Sequence, residues 1–244
     1  MELIDIIMYS LLGVLILALC IGLGVANSAG TNLIRTYREY EKTIVDYTNP
    51  FAFAEQVSNG EFGGNIRCEV CKGFLTDNYY RGTISLSEQT IKTSSVSSMS
   101  VVAHELGHAV QYRDEPAKMA KFNKRRKTSR LLGKFTVPLF VIGLVCMIIS
   151  LMEKNEVLTI ASIVVMAGAL VMFIFGLSVQ ISTIKIEKEA SENALVLLQK
   201  YAYLDDYQIK IAKKVLSSAK LTYIAQFLKS VLSWTMLVKK YDFY

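Results

Sequence analysis

Both histidines of this 244-residue chain stand in one short stretch, "SVVAHELGHAVQY", as His104 and His108, with Glu105 beside the first. On a helix, positions i and i+4 share a face, so this spacing aims two imidazoles at one point. Zn2+ takes imidazole nitrogens at about 2.0–2.1 Å, and such a pair supplies two ligands without backbone strain. Glu105 is offset from the pair, where its carboxylate reaches a water polarised by the metal rather than the metal itself. The H-E-x-x-H spacing is thus a pattern for metal-assisted hydrolysis, with the glutamate as general base. A third protein ligand is needed, and no histidine remains to supply it. The stretch "IKIEKEASENALVLL", residues 184–198, reads as a helix and offers Glu187, Glu189 and Glu192.

The elements that must position these groups can be read around them. The serines of "SEQTIKTSSVSSMS" suit N-cap positions ahead of the histidine helix, and Pro116 disfavours helical geometry at Glu115, which ends it. Upstream, Asn49-Pro50 breaks one helical pattern, and a short helix over about residues 51–57 stops at Ser58, Asn59 and Gly60. In "GGNIRCEVCKGFLTDNYYRGTISLS", turn residues punctuate β-favouring pieces, and "RGTISLS" alternates like a half-buried strand. A small sheet or hairpin is expected there.

Hydrophobic residues make up 52% of the chain and gather in long runs, as membrane spans do. The first, residues 8–26, carries no charge. Glu2 and Asp5 precede it without Lys or Arg, which favours a retained anchor over a cleaved leader. Residues 135–152 and 157–184 are joined by "EKNE" and form a helical hairpin. Pro138 stands near the start of the former run, where a missing amide proton costs little. Residues 221–238 contain Gln226, Lys229 and Trp234, and either span or lie in the interface. Lys118, Lys121, Lys124, Arg125, Arg126, Lys127, Arg130 and Lys134 crowd the entrance to the hairpin, while Arg35, Arg38 and Lys42 follow the anchor. Positive residues stay on the cytoplasmic side, so residues 31–134 are expected there. The position of the cluster against a membrane helix points to anionic headgroups rather than nucleic acid. Cys68 and Cys71 form "CEVC", with no second pair to complete a zinc site and no thioredoxin-like pattern around it. They read as two thiols in a reducing compartment.

"VVAHELGHAVQ" together with "EKEASENAL" resembles the YugP-type neutral zinc metallopeptidases of bacteria, small membrane proteins in which an apolar hairpin separates the two motifs. "GFLTDNYYRGTISLS", "VLSSAKLTYIAQFL" and the N-terminal anchor are similar in kind and place, so the resemblance covers most of the chain. Asn78 stands where that pattern has a histidine, and "CEVC" is not part of it. The resemblance implies Zn2+ as cofactor, Glu187 as third ligand, and peptide-bond hydrolysis with Glu105 as base. In the related prenyl-protease and heat-shock types an Asp four residues after the ligand Glu supports a ligand histidine. Ser191 holds that place here and offers a weaker hydrogen bond.

The expected protein is mainly α, an integral membrane zincin-like metallopeptidase with a small β hairpin or sheet before the H-E-x-x-H helix. Its parts are an anchor (1–30), a cytoplasmic catalytic region (31–134), a transmembrane hairpin (135–184), a helix carrying the third ligand (185–220) and a C-terminal transmembrane or interfacial segment (221–244). The expected partners are a protein or peptide substrate at the membrane and the lipid bilayer of the cell membrane, which the chain crosses more than once. Tyr79 or Tyr80 is a candidate oxyanion donor. The competing reading is an inactive zinc-stabilised scaffold or assembly factor, although a purely structural site has no use for Glu105. A transporter is disfavoured, since the spans hold almost no ionisable residues.

Overall fold

Ser95 starts the helix that carries both histidines. Its hydroxyl accepts from the Ser98 amide at 3.1 Å, satisfying one of the donors left open at a helix N-terminus. This is seen in a computed structural model of the chain, which describes residue 24 and residues 28–236. The anchor expected over residues 8–26 lies almost entirely outside the described residues. In order, the chain forms α1 (residues 28–40), α2 (Pro50–Phe62), β1 (Arg67–Cys71), β2 (Asn78–Tyr80), β3 (Thr83–Ser87), α3 (Glu88–Lys92), α4 (Val96–Asp114), α5 (Pro116–Glu153), α6 (Glu156–Tyr201) and α7 (Asp206–Met236).

The expected small sheet is present, with three strands in the order β1-β3-β2. β1 pairs parallel to β3 and β2 antiparallel to it. The β2–β3 turn uses Arg81 (φ 47°) and Gly82 (φ 84°), two consecutive left-handed residues that match the twist of a tight hairpin. Asp77 ties this hairpin to α3: its carboxylate accepts from the Ser87 amide at 2.7 Å and from the Thr90 hydroxyl at 3.0 Å. Cys68 and Cys71 both lie on β1, three residues apart, so strand alternation turns them to opposite faces. One metal ion cannot hold both. Burial pushes the Cys68 thiol up, which keeps it protonated and unreactive.

The core lies where α4 is enclosed by α2, the sheet, α6 and α7. Phe53, Val57, Ile84, Leu86, Met99, Val102, Leu106, Leu198 and Val215 are each at most 2% exposed there. Glu61 of α2 braces the outside of this core. It accepts from Arg113 of α4 at 2.9 Å and from Tyr201 of α6 at 3.0 Å. The Lys200 ammonium and the Arg113 guanidinium hold its carboxyl at about 2.

Three boundaries differ from the sequence reading. The hairpin helices do not end with their apolar runs: α5 has 38 residues and α6 has 46. Backbone hydrogen bonds continue through the change from apolar to charged side chains, so residues 135 and 184 lie inside unbroken helices. Pro138 therefore sits deep within α5, where its ring removes an amide donor from the ladder, and not near a helix start. Residues 185–220 are the end of α6, a short connection and the start of α7, and residues 221–236 are the second half of α7.

Lys154 in the left-handed region (φ 53°) and the Asn155 cap turn the chain between α5 and α6. At their crossing, a Cβ on Gly143 would lie 3.3 Å from the Ser162 carbonyl oxygen, the close approach typical of small residues between membrane helices. Ile142, Ile148, Leu151, Val157, Ile160 and Val164 are each more than half exposed on this hairpin. α5 and α6 are long and apolar enough to cross a membrane, and α7 does not meet the same test among the described residues.

Candidate metal centre

α4 and α6 cross at Gly107. A Cβ there would sit 2.2 Å from the carbonyl oxygen of Ala190, so only glycine permits this separation. Asn193 reinforces the contact, donating from Nδ2 to the Gly107 carbonyl at 3.3 Å. Within one turn of this contact, the helices bring together His104, His108 and Glu187, whose candidate ligand atoms all lie within 4.8 Å of one another. Glu187 Oε2 is 3.1 Å from His104 Nε2 and 3.5 Å from His108 Nε2.

The hydrogen bonds behind the imidazoles fix their tautomers. The Ser191 hydroxyl donates to the Glu187 carbonyl at 2.8 Å, leaving an oxygen lone pair toward His104 Nδ1 at 3.3 Å. Gln111 donates from Nε2 to the Ile186 carbonyl at 2.9 Å and to Glu189 at 3.0 Å. Its Oε1 therefore faces His108 Nδ1 as an acceptor, at 3.0 Å. Both Nδ1 atoms thus carry the proton, and both Nε2 lone pairs point at Glu187. Two such nitrogens and one carboxylate oxygen are the donor set of a three-ligand zinc site with an open position. The residues fit the ion.

Without a cation, a proton on His108 takes its place. Burial alone would lower His108, but the Glu187 carboxylate, with Glu105 behind it, lifts the imidazole to about 9. Burial pushes Glu187 up as well, and the two imidazoles outweigh it, bringing the carboxyl to about 2. Glu105 is 8% exposed, and burial raises its carboxyl against the pull of both histidines. A carboxyl whose proton affinity is raised beside a cluster of ligands is suited to taking and returning a proton.

The other acidic candidates on α6 face elsewhere. Glu189 pairs with Lys118 at 3.0 Å, and Glu192 lies 3.5 Å from Lys188. The tyrosines named as oxyanion donors serve the sheet instead. Tyr79 accepts from the Gly82 amide and packs on Tyr112, and Tyr80 is 63% exposed beneath Arg81. Tyr223 of α7 lies beside the cluster, its hydroxyl facing Glu187 with Glu105 and Arg126 also in electrostatic range. Sequence reasoning missed both Tyr223 and Gln111. Gln111 follows His108 by three positions and so shares its face, a signal that was legible; Tyr223 had only the quoted "LTYIAQ" segment.

The structure defines a mainly helical protein with two helices long and apolar enough to cross a membrane and a partly buried two-histidine, one-glutamate cluster. Comparison with known proteins gives the same class. The family described as "Putative neutral zinc metallopeptidase" matches residues 14–241, and the chain belongs to it. It is 25% identical over 169 residues to "Putative membrane protease YugP" of Bacillus subtilis (strain 168), covering 68% of this chain and 69% of that one. No solved structure matches.

Proposed function

We propose that the protein is a membrane-embedded zinc endopeptidase, crossing the bilayer more than once, with its site on the cytoplasmic side. The observation that carries the reading is the convergence of His104 Nε2, His108 Nε2 and Glu187 Oε2, with both histidine Nδ1 atoms held by oxygens. These three atoms would hold the zinc. When bound, the ion supplies Lewis acidity, polarising a peptide carbonyl and bringing the pKa of a water toward about 7. Glu105 takes the proton of the attacking water on its carboxylate and passes it to the departing amine. Ser191 and Gln111 keep the imidazoles from rotating. Tyr223 presents its hydroxyl to the same face, where an oxygen gathering negative charge would accept from it.

The basic run ahead of the hairpin supports the cytoplasmic orientation. The hairpin ties both halves of the site to the bilayer, which supports membrane-associated substrates. The test uses the purified full chain in vesicles with an unfolded, membrane-tethered peptide. Cleavage should be abolished by a chelator and restored by zinc, and Glu187→Ala should lose both zinc and cleavage. Chelator-resistant cleavage, or stoichiometric zinc in Glu187→Ala, would overturn the assignment.

A further inference from the structure

The basic run on α5 divides by burial. Phe122, Arg125, Ser129, Leu132 and Thr136 turn inward and are buried or half-buried, whereas Lys121, Lys124, Arg126, Lys127, Arg130 and Lys134 are all exposed. Lys118 is paired with Glu115 and Glu189, but among the described residues these six cations form no ion pair. Contacts with α6 give their level. Lys118 meets Glu189, Arg125 donates to the Ser178 hydroxyl at 3.0 Å, and Ser129 lies beside Gly176. Continuing this antiparallel descent one for one puts Lys134 opposite about Val171.

The apolar runs of the two helices therefore differ in length. Residues 135–152 of α5 rise about 27 Å, and residues 157–184 of α6 about 42 Å, against a hydrocarbon core of about 30 Å. Both cannot be bounded by the ends of their own runs. α5 sets the limit, because a cation in hydrocarbon is far costlier than an isoleucine near water. α6 agrees: opposite the cations it carries Ser178, Gln180, Ser182 and Thr183. Gln180 donates to Ser230 of α7 at 2.7 Å, and Val179 and Ile186 are buried by neighbouring protein.

We infer that the hydrocarbon edge on the site side lies at the level of Lys134 and Val171, and that the exposed cationic face of α5 above it docks on anionic lipid headgroups. The 16 residues from Val171 to Glu187 then raise the histidine–glutamate cluster about 24 Å above that edge along the helix axis. An extended chain covers about 3.3–3.6 Å per residue. Resting on the peptidase reading, this makes the substrates membrane-anchored chains cut about seven residues or more outside the hydrocarbon.

Two measurements test the lipid docking and the depth without involving zinc or cleavage. In nanodiscs of mixed phosphatidylcholine and phosphatidylglycerol, the full chain should retain phosphatidylglycerol in preference. Replacing Lys121, Lys124, Lys127, Arg130 and Lys134 with Gln should cut that preference about tenfold. Equal retention by the variant overturns the docking surface. Spin labels placed at Ile163 or Ile181, with the four native cysteines replaced, should differ in depth: Ile163 accessible to oxygen in the hydrocarbon, Ile181 to a water-soluble nickel complex. Equal depth overturns the register. A third measurement varies the spacer between a single transmembrane anchor and a cleavable unfolded tail. Cleavage should begin near seven residues, and cutting within three overturns the register. No cutting at any spacer length counts against the peptidase reading, and the depth measurement still decides the register.

Discussion

Gly107 and Ala190 are in backbone contact: a Cβ on Gly107 would lie 2.2 Å from the Ala190 carbonyl oxygen. That contact sets the distance between the histidine helix and the glutamate helix. Gly107→Ala must push α4 and α6 apart, a change of the kind that costs about 1–3 kcal/mol by overpacking. Zinc content of the purified variant should fall well below one equivalent, with a lowered unfolding midpoint. An unchanged zinc content would show that the crossing does not govern the cluster.

Glu105→Gln keeps the shape of the side chain and removes its ability to take a proton. Zinc content should be unaltered, while turnover falls by about 10²–10⁴. Metal analysis and a cleavage assay on one preparation check both halves.

The bonds behind the imidazoles make a graded pair of predictions. Gln111 holds His108 at 3.0 Å and Ser191 holds His104 at 3.3 Å. Substituting either by Ala should weaken zinc affinity by about 10–100-fold. Gln111→Ala should be the more damaging, since Gln111 also grips the Ile186 carbonyl. Competition with a calibrated chelator gives the ranking.

Acid and base act on the metal-free cluster in a defined direction. His108, raised from 6.5 to about 9, stabilises the metal-free fold fully below 6.5, and this contribution is lost as pH rises through about 9. Zinc must displace that proton. Its apparent affinity should therefore climb about tenfold per pH unit up to about 9 and then level off. Thermal unfolding of the metal-free chain and zinc titrations across this range read the opposite trends.

Tyr223→Phe tests the hydroxyl beside the cluster. If it serves the reacting oxygen, kcat falls while zinc content and KM are little changed. Loss of zinc instead would assign Tyr223 to holding Glu187.

Much of this site was legible in the chain. The i, i+4 spacing put both imidazoles on one face, and the serines before them marked the start of their helix. The third candidate ligand was harder. Glu187, Glu189 and Glu192 were equivalent by composition, and the resemblance alone singled out Glu187. The structure separates them through partners far away in sequence, Lys118 for Glu189 and the two histidines for Glu187. Tyr223 was hidden for the same reason, standing on a helix that reaches the site only after the chain has turned back. The sheet was readable from alternation. The continuity of α5 and α6 was not, because a switch from cationic to apolar side chains looks like a boundary while the backbone ladder is indifferent to it.

α6 runs unbroken from the turn at Asn155 to Tyr201, so its apolar turns and the Glu187 carboxylate belong to one rod. With the apolar half of α6 in a bilayer as proposed, a lean of about 10°, small beside the tilts common among transmembrane helices, swings Glu187 sideways by about 4 Å. α4 travels with it, fastened at Gly107 and through Gln111 to Ile186. Changes in bilayer thickness would then re-aim the site as a block and leave its internal distances intact.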